Sequence, residues 1–316
     1  MKVKSFAKLN LGLEILRKRP DGYHDIETLF QWVSLCDVLE FHIIPEGEIQ
    51  LQGNDPSIPW DENNMIYKAA RLLQDGYKVS AGIKIIIEKK IPPGRGLAGG
   101  SSNAAMTLYA LNKSWKLDLP KSELIQAGKM LGADVAYFFH GGLCLGEERG
   151  DRITPLPDLP NLPLVLALPP FPVSTALIYN RLLPSALTSR DKESRISRFL
   201  EARDFRFLEN RLEETIFSFY PQLKELKRFF QSQGAEVSLV TGSGSAVYGL
   251  FLSREKAEKS LAELEKLTAA VLVETISREQ GWNELDAGVS PSGKAADFGS
   301  AIRGFESSRP SFGRKK

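Results

Sequence analysis

The scarce residues do the first sorting in this chain. Two cysteines, three histidines and four methionines occur among 316 residues. Cys36 and Cys144 stand far apart, in strand-like contexts, with no CxxC pair or histidine companion. That argues against a disulfide frame or a zinc site, and both read as buried small hydrophobes. No protein-bound metal is expected. Long apolar runs are also missing, and the opening MKVKSFAKLNLGL lacks the h-region of a secretion signal. The expected location is therefore cytoplasmic, with no membrane partner. Charge of one sign is missing too. Lys and Arg number 41 against 39 Asp and Glu, and the excess falls in residues 284–316, where six Lys/Arg meet four Asp/Glu. A neutral body excludes broad nucleic-acid binding as the main activity.

A chain of this length accommodates two domains. Its first part reads β-rich and antiparallel: Lys2 to Leu16 alternates apolar and polar residues, a Pro-Asp-Gly turn follows, an apolar run ends near Val33, and short strands cover Asp37–Ile44 and Glu48–Gln52. A helix capped by Asn63 or Asn64 extends to Leu73, and GIKIIIEK is a strand. Another helix, Lys121–Leu131, precedes GADVAYFFHGGLCLGE, which reads as a turn and then a strand pair around Gly141 and Gly142. Six prolines between 155 and 170, with Pro172 beyond, mark a boundary. We divide the chain at 158/159. From LVLAL onward the pattern approaches β-α-β-β-α-β, the split βαβ sandwich, with strands at 236–241, 246–251 and 270–276 and helices at 174–183, 221–234 and 254–268.

Residues 284–316 lack apolar periodicity, and their Gly, Ser, Arg and Lys content predicts a disordered tail. Gly304-Phe305-Glu306-Ser307 is also what the T-arm of a transfer-RNA gene would encode. A reading frame running into such a gene is one hypothesis, and an ordinary low-complexity tail is the other. The nucleotide sequence separates them, since codons that do not fold as a cloverleaf would exclude the first.

The densest signal is IPPGRGLAGGSSNAAMTLYALNKSW, residues 91–115. A glycine-rich turn empties into a helix whose apolar stripe is Ala104, Leu108, Leu111 and Trp115, with Ser101, Ser102 and Asn103 as candidate caps. Unpaired N–H groups and the positive end of a helix dipole suit a phosphate. The spacing is neither a Walker P-loop nor a dinucleotide fingerprint. Read alone, it is equally a capped turn that binds nothing. Lys8 interrupts an apolar strand, as edge protection or as a cation facing a cleft. Asp134 opens an apolar stretch, where a carboxylate needs a partner, or else ends a helix as a turn residue.

Taken together and in order, AKLNLGL, PDGYHDIETLFQ, IPPGRGLAGGSSNAA, LGADVAYFFHGG and VTGSGSAVYGLF resemble the GHMP kinase family over residues 3 to about 280. The resemblance implies a two-domain α+β fold, with an N-terminal domain like ribosomal protein S5 and a ferredoxin-like C-terminal domain. It also implies ATP and Mg²⁺ as cofactors, the metal arriving with the nucleotide. AKLN and DGYH point to the branch that phosphorylates the 2-hydroxyl of a cytidine-diphosphate-linked methylerythritol. Kinases of this family acting on mevalonate or homoserine, and a non-catalytic ligand sensor, are the alternatives.

On the same resemblance Asp134 is the base and Lys8 the orienting cation. Pro93, Gly94, Arg95, Gly96, Leu97, Ala98, Gly99, Gly100, Ser101, Ser102 and Asn103 wrap the ATP phosphates. Asn10 holds the substrate polyol, and Tyr23, His24 and Tyr179 hold the cytosine. Lys89 lies near nucleotide or diphosphate, and Gly242, Ser243 and Gly244 form a third glycine motif beside the phosphates. Structural readings stand beside three of these: a solvated strand end for Lys89, helix packing for Tyr179 and a tight turn for Gly242. Three residues depart from the family pattern. Arg95 replaces a small residue and either adds a phosphate contact or obstructs the loop, while Ala136 and Ser245 replace supporting prolines or their equivalents.

Overall fold

The computed structural model describes residues 1–45, 47–188 and 194–287; the expectations for the tail beyond 287 lie outside them. Two long strands, β1 (Lys2–Lys18) and β2 (His24–Ile44), form an antiparallel hairpin closed by the Pro20-Asp21-Gly22 turn. The predicted short strand over Asp37–Ile44 is the second half of β2, reached through a register shift opposite Phe6 and Ala7. One edge of β2 pairs with β1. The other is shared, by β5 (Leu143–Glu148) over Ile26–Gln31 and by β4 (Gly82–Glu88) over Val38–Ile44. β3 (Ile49–Gly53) lies parallel to β4 across helix α1 (Met65–Gly76), and β6 (Arg152–Pro155) completes the sheet on β5.

Helices α1, α2 (Gly99–Ser114) and α3 (Lys121–Leu131) cover this sheet. Asn64 caps α1 through a bond from the Ile66 N–H. The segment predicted to continue as a strand beyond Asp134 is instead a 3-10 helix, Ala133–Phe139. Val135 to Phe139 are buried all round, so no alternation marked them and a short apolar run does not declare its period.

The second half contains β7 (Pro163–Ala167), α4 (Thr175–Asn180), α5 (Arg195–Ala202), α6 (Glu213–Phe219), α7 (Pro221–Ser232), β8 (Val237–Val240), β9 (Val247–Leu250), α8 (Arg254–Leu264) and β10 (Ala270–Glu274). Its sheet order β10-β7-β9-β8 is antiparallel throughout, the split βαβ arrangement expected from the sequence.

The two halves pack together, with Leu9 and Leu11 of β1 sharing a core with Leu164, Leu166 and Tyr248 of the second sheet. Helix α9 (Arg278–Ala287) runs past residue 283 and returns to the first half, where Trp282 and Leu285 enter its core.

Candidate active site

The glycine segment lies between the two halves, held by its carbonyls. Gly94 O accepts from Val173 N (3.2 Å), Arg95 O from Ala246 N (3.1 Å), Gly96 O from the Thr241 hydroxyl (3.2 Å), Leu97 O from Lys8 N (3.1 Å) and Ala98 O from Ser102 N (2.9 Å). Each acceptor of the loop is therefore engaged. No described group accepts from the N–H of any residue from Gly94 to Ser101. A stretch of backbone whose acceptors are spent and whose donors are free is an anion receptor. Gly96 is required there, since at φ +75° a Cβ would lie 2.1 Å from the Thr241 carbonyl oxygen.

The helix cap differs from expectation. α2 begins at Gly99 behind Ala98, which takes the left-handed conformation at φ 52°, and no side chain caps it. Ser102 instead gives its proton to Phe6 O (2.7 Å), and the Ser5 hydroxyl lies 2.7 Å from both Ser102 Oγ and Asn103 Oδ1. These side chains fasten α2 to β1. Ser101 faces the cleft, and its hydroxyl has no partner among the described residues.

Lys8 and Asp134 come together. Lys8 Nζ lies 3.5 Å from Asp134 Oδ2 and donates to Asn10 Oδ1 at 2.6 Å. Lys8 is buried, its ammonium 5.4 Å from the Phe30 ring centroid, whereas the Asp134 side chain is 35% exposed to the cleft. Strand alternation puts Asn10 on the same face, and its Nδ2 donates to Thr28 (2.8 Å), whose hydroxyl donates to Gly12 O (2.6 Å). The third glycine motif closes on this pair: a Cβ at Gly242 (φ +57°) would lie 3.0 Å from Asn10 Oδ1. Thr241 binds both walls, its hydroxyl accepting from Asn10 N (3.0 Å) while donating to Gly96 O. Ser243 pairs with Thr175 (2.7 Å), and Ser245 donates to Phe171 O, a bond in place of the rigidity a proline would give.

Lys8, Asn10, Ser101, Asp134, Gly242 and Ser243 line one cleft of 1280 Å³, room for two ligands of nucleotide size by the usual scale of roughly 300–1,000 Å³ each. At one end Tyr23 is exposed, and the His24 and Tyr179 rings lie 5.4 Å apart. Burial, then the charge of Lys18, lowers the His24 pKa. Burial, then Asp134, raises that of Tyr179. The sequence reading missed Arg149, which stands over the Tyr23 ring at 5.3 Å and pairs with Asp151 at 3.0 Å. It also missed that Ser57, Ile58, Pro59 and Trp60, with Asn63 to Ile66, line the same cleft.

Other expected residues lie elsewhere. Leu97 and Ser102 sit behind the cleft wall. Lys89 borders the cleft, but its ammonium pairs with buried Asp37 at 2.7 Å and donates to Ile91 O. Burial lowers the Lys89 pKa and Asp37 opposes that shift. Asp37 also receives Lys90 N and Ile91 N, fixing the strand that feeds the loop. The cysteines are free, Cys144 buried and Cys36 half-buried. No described helix is long and apolar enough to cross a membrane.

Comparison with known proteins gives matches to the GHMP kinases N terminal domain over residues 64–142 and to the GHMP kinases C terminal domain over residues 192–269. The chain is 40% identical over 255 residues to a 4-diphosphocytidyl-2-C-methyl-D-erythritol kinase of Geobacillus kaustophilus, covering 79% of this chain and 88% of the relative. A crystal structure of 4-(cytidine 5'-diphospho)-2C-methyl-D-erythritol kinase matches with a TM-score of 0.76 and 33% identity, covering 87% and 99% of the two chains. A homoserine kinase of Cytophaga hutchinsonii shares the fold at a TM-score of 0.70 and 20% identity, over 89% and 96%.

Proposed function

Because the chain belongs to the GHMP kinases, and within them to the 4-diphosphocytidyl-2-C-methyl-D-erythritol kinases, we propose that its cleft transfers the γ-phosphoryl group of ATP to the 2-hydroxyl of 4-diphosphocytidyl-2-C-methyl-D-erythritol. The products are the 2-phosphate and ADP, a step in non-mevalonate isoprenoid precursor synthesis carried out in the cytoplasm.

The observation that carries this reading is the donor-rich loop facing a carboxylate–lysine pair. In phosphoryl transfer the protein positions the reactants and stabilises charge rather than supplying difficult covalent chemistry. Asp134 accepts the proton of the 2-hydroxyl as that oxygen bonds to the γ-phosphorus and the bridging bond to ADP breaks. Lys8 supplies the counter-charge and, with Asn10, sets the angle of the carboxylate and the polyol. The free N–H row receives the phosphates, and Gly242 and Ser243 close the wall beside them. Tyr23 offers a stacking face for cytosine, His24 a polar edge and Tyr179 an opposing ring; Arg149 adds a cation where the diphosphate leaves the base. The Trp60 end of the cleft is left for adenine.

Mg²⁺ in such sites keeps several waters and takes few protein ligands. Ser101, whose hydroxyl has no partner among the described residues, and Asp134 both line the cleft and offer oxygens suited to that mode. Ser101 and Asp134 would hold the ion when it comes with the nucleotide, and it would supply positive charge against the phosphate oxygens.

The deciding measurement is ADP release with the cytidylylated substrate against mevalonate and homoserine. We expect turnover with the first alone. Asp134→Asn should lower kcat by about 10²–10⁴-fold, the usual worth of a general base, while nucleotide affinity persists; near-normal turnover would remove Asp134 from the mechanism. Tyr23→Ala should raise the KM for the cytidyl substrate more than that for ATP.

A further inference from the structure

We propose that Arg95 is a phosphate-binding residue of this cleft, its guanidinium adding a charge and a fork of donors to the backbone N–H row that receives the terminal phosphates of the nucleotide. The inference rests on the loop being the nucleotide site, and it concerns a residue at which the chain departs from its family.

Arg95 is held from both sides. The carbonyls of Gly94, Arg95 and Gly96 are each engaged by the second half of the chain, through Val173, Ala246 and Thr241. The backbone that carries the side chain therefore has little freedom to move it away. The side chain lies half-buried in the cleft wall. Its Nη1 is buried with no hydrogen-bond partner, and no described carboxylate pairs with it.

Among the other cations of the cleft, Lys8 has Asp134, Lys89 has Asp37 and Arg149 has Asp151, while Lys129, like Arg95, has no carboxylate partner among the described residues. Burial alone pushes the Arg95 pKa down, with no neighbouring charge in either direction. A guanidinium stays protonated in proteins despite such a shift. Leaving it partly desolvated and unpaired is costly unless an anion completes it. The unpaired backbone groups of the same loop are N–H donors, so an acceptor for the part of this side chain that borders the cleft has to come from outside the chain. A phosphate oxygen pair matches the fork of an arginine. An obstructing arginine would need a carboxylate or carbonyl to hold it across the loop, and the described residues provide none.

Calorimetric titration of a non-hydrolysable ATP analogue and of adenosine into the full chain, together with steady-state kinetics, tests this. Arg95→Ala should weaken the triphosphate about 10-fold, the scale of one charge-assisted contact, and leave adenosine within about twofold. The KM for ATP should rise in parallel, with kcat within about threefold and the KM for the cytidyl substrate unchanged. Arg95→Lys should recover part of the loss, having charge without the fork. Arg95→Gln carries the same expectation as Arg95→Ala if the smaller variant unfolds. Unchanged or tighter triphosphate binding in the variants would overturn the proposal, as would an equal loss for adenosine, which marks a collapsed loop. A wild-type chain without affinity for the triphosphate would instead remove the nucleotide site itself.

Discussion

Thr241 ties the catalytic strand to the phosphate loop through one buried hydroxyl. Thr241→Val keeps the shape but leaves the Asn10 N–H and the Gly96 carbonyl unpaired, at about 1–3 kcal/mol for each buried group so abandoned. Its expected signature is a lower Tm with a larger loss in kcat than in cytidyl-substrate affinity; Thr241→Ser should restore both. Lys89 lines the cleft, yet its ammonium is engaged by a partner far off in sequence. Its place before the loop suggested a ligand contact, yet nothing local in IEKKIPP announces Asp37, fifty-two residues earlier and paired with it in space. Lys89→Ala should act first on stability, by about 3–5 kcal/mol for a broken buried pair. A variant that melts like the wild type but binds nucleotide poorly would return Lys89 to the site. Lys8 and Asp134 were each open to a structural reading from position alone and were paired only through the family resemblance; in the fold they lie 3.5 Å apart.

Among the elements, α2 and its loop were the most legible, since glycine spacing and apolar stripe both declare themselves. The first residue of the helix was not. Three good capping residues sit at 101–103, but Ser102 and Asn103 are claimed by Phe6 and Ser5 of the neighbouring strand, a tertiary demand that local propensity cannot register. Gly96→Ala offers a direct test of how the loop is seated. The added carbon meets backbone rather than a yielding side chain. Strain of about 1–3 kcal/mol is expected, together with a loss of triphosphate binding larger than that from Arg95→Ala. A variant binding ATP normally would show that the loop can be held without its contact to Thr241.

Across the whole molecule, the two-domain α+β class was legible from the order of periods, and the β-α-β-β-α-β run gave the second sheet correctly. The path of α9 was not, because a ten-residue segment with little apolar periodicity does not say which half it will cover. Its Trp282 donates to the His140 carbonyl (3.2 Å) and packs on Trp32 and Tyr109. His140 is pushed down to about 4 by burial and by Lys121, Arg278 and Lys129. An unfolded chain takes up that proton near pH 6.5, whereas the folded one waits until about 4. Stability is therefore greatest above pH 6.5 and falls as the pH drops toward 4. Thermal melts of His140→Gln should show a flatter decline across that window than the wild type; parallel curves would exclude His140 as a source.

The return of α9 also sets a timetable. On the ribosome, the face of Trp32 emerges early and Trp282 late, so at ~5–20 residues per second the first sheet waits roughly ten to fifty seconds for its last layer. During that interval a nascent chain carries bare aromatic surface of the kind chaperones bind, and the N-terminal half is finished only after Trp282 has been made.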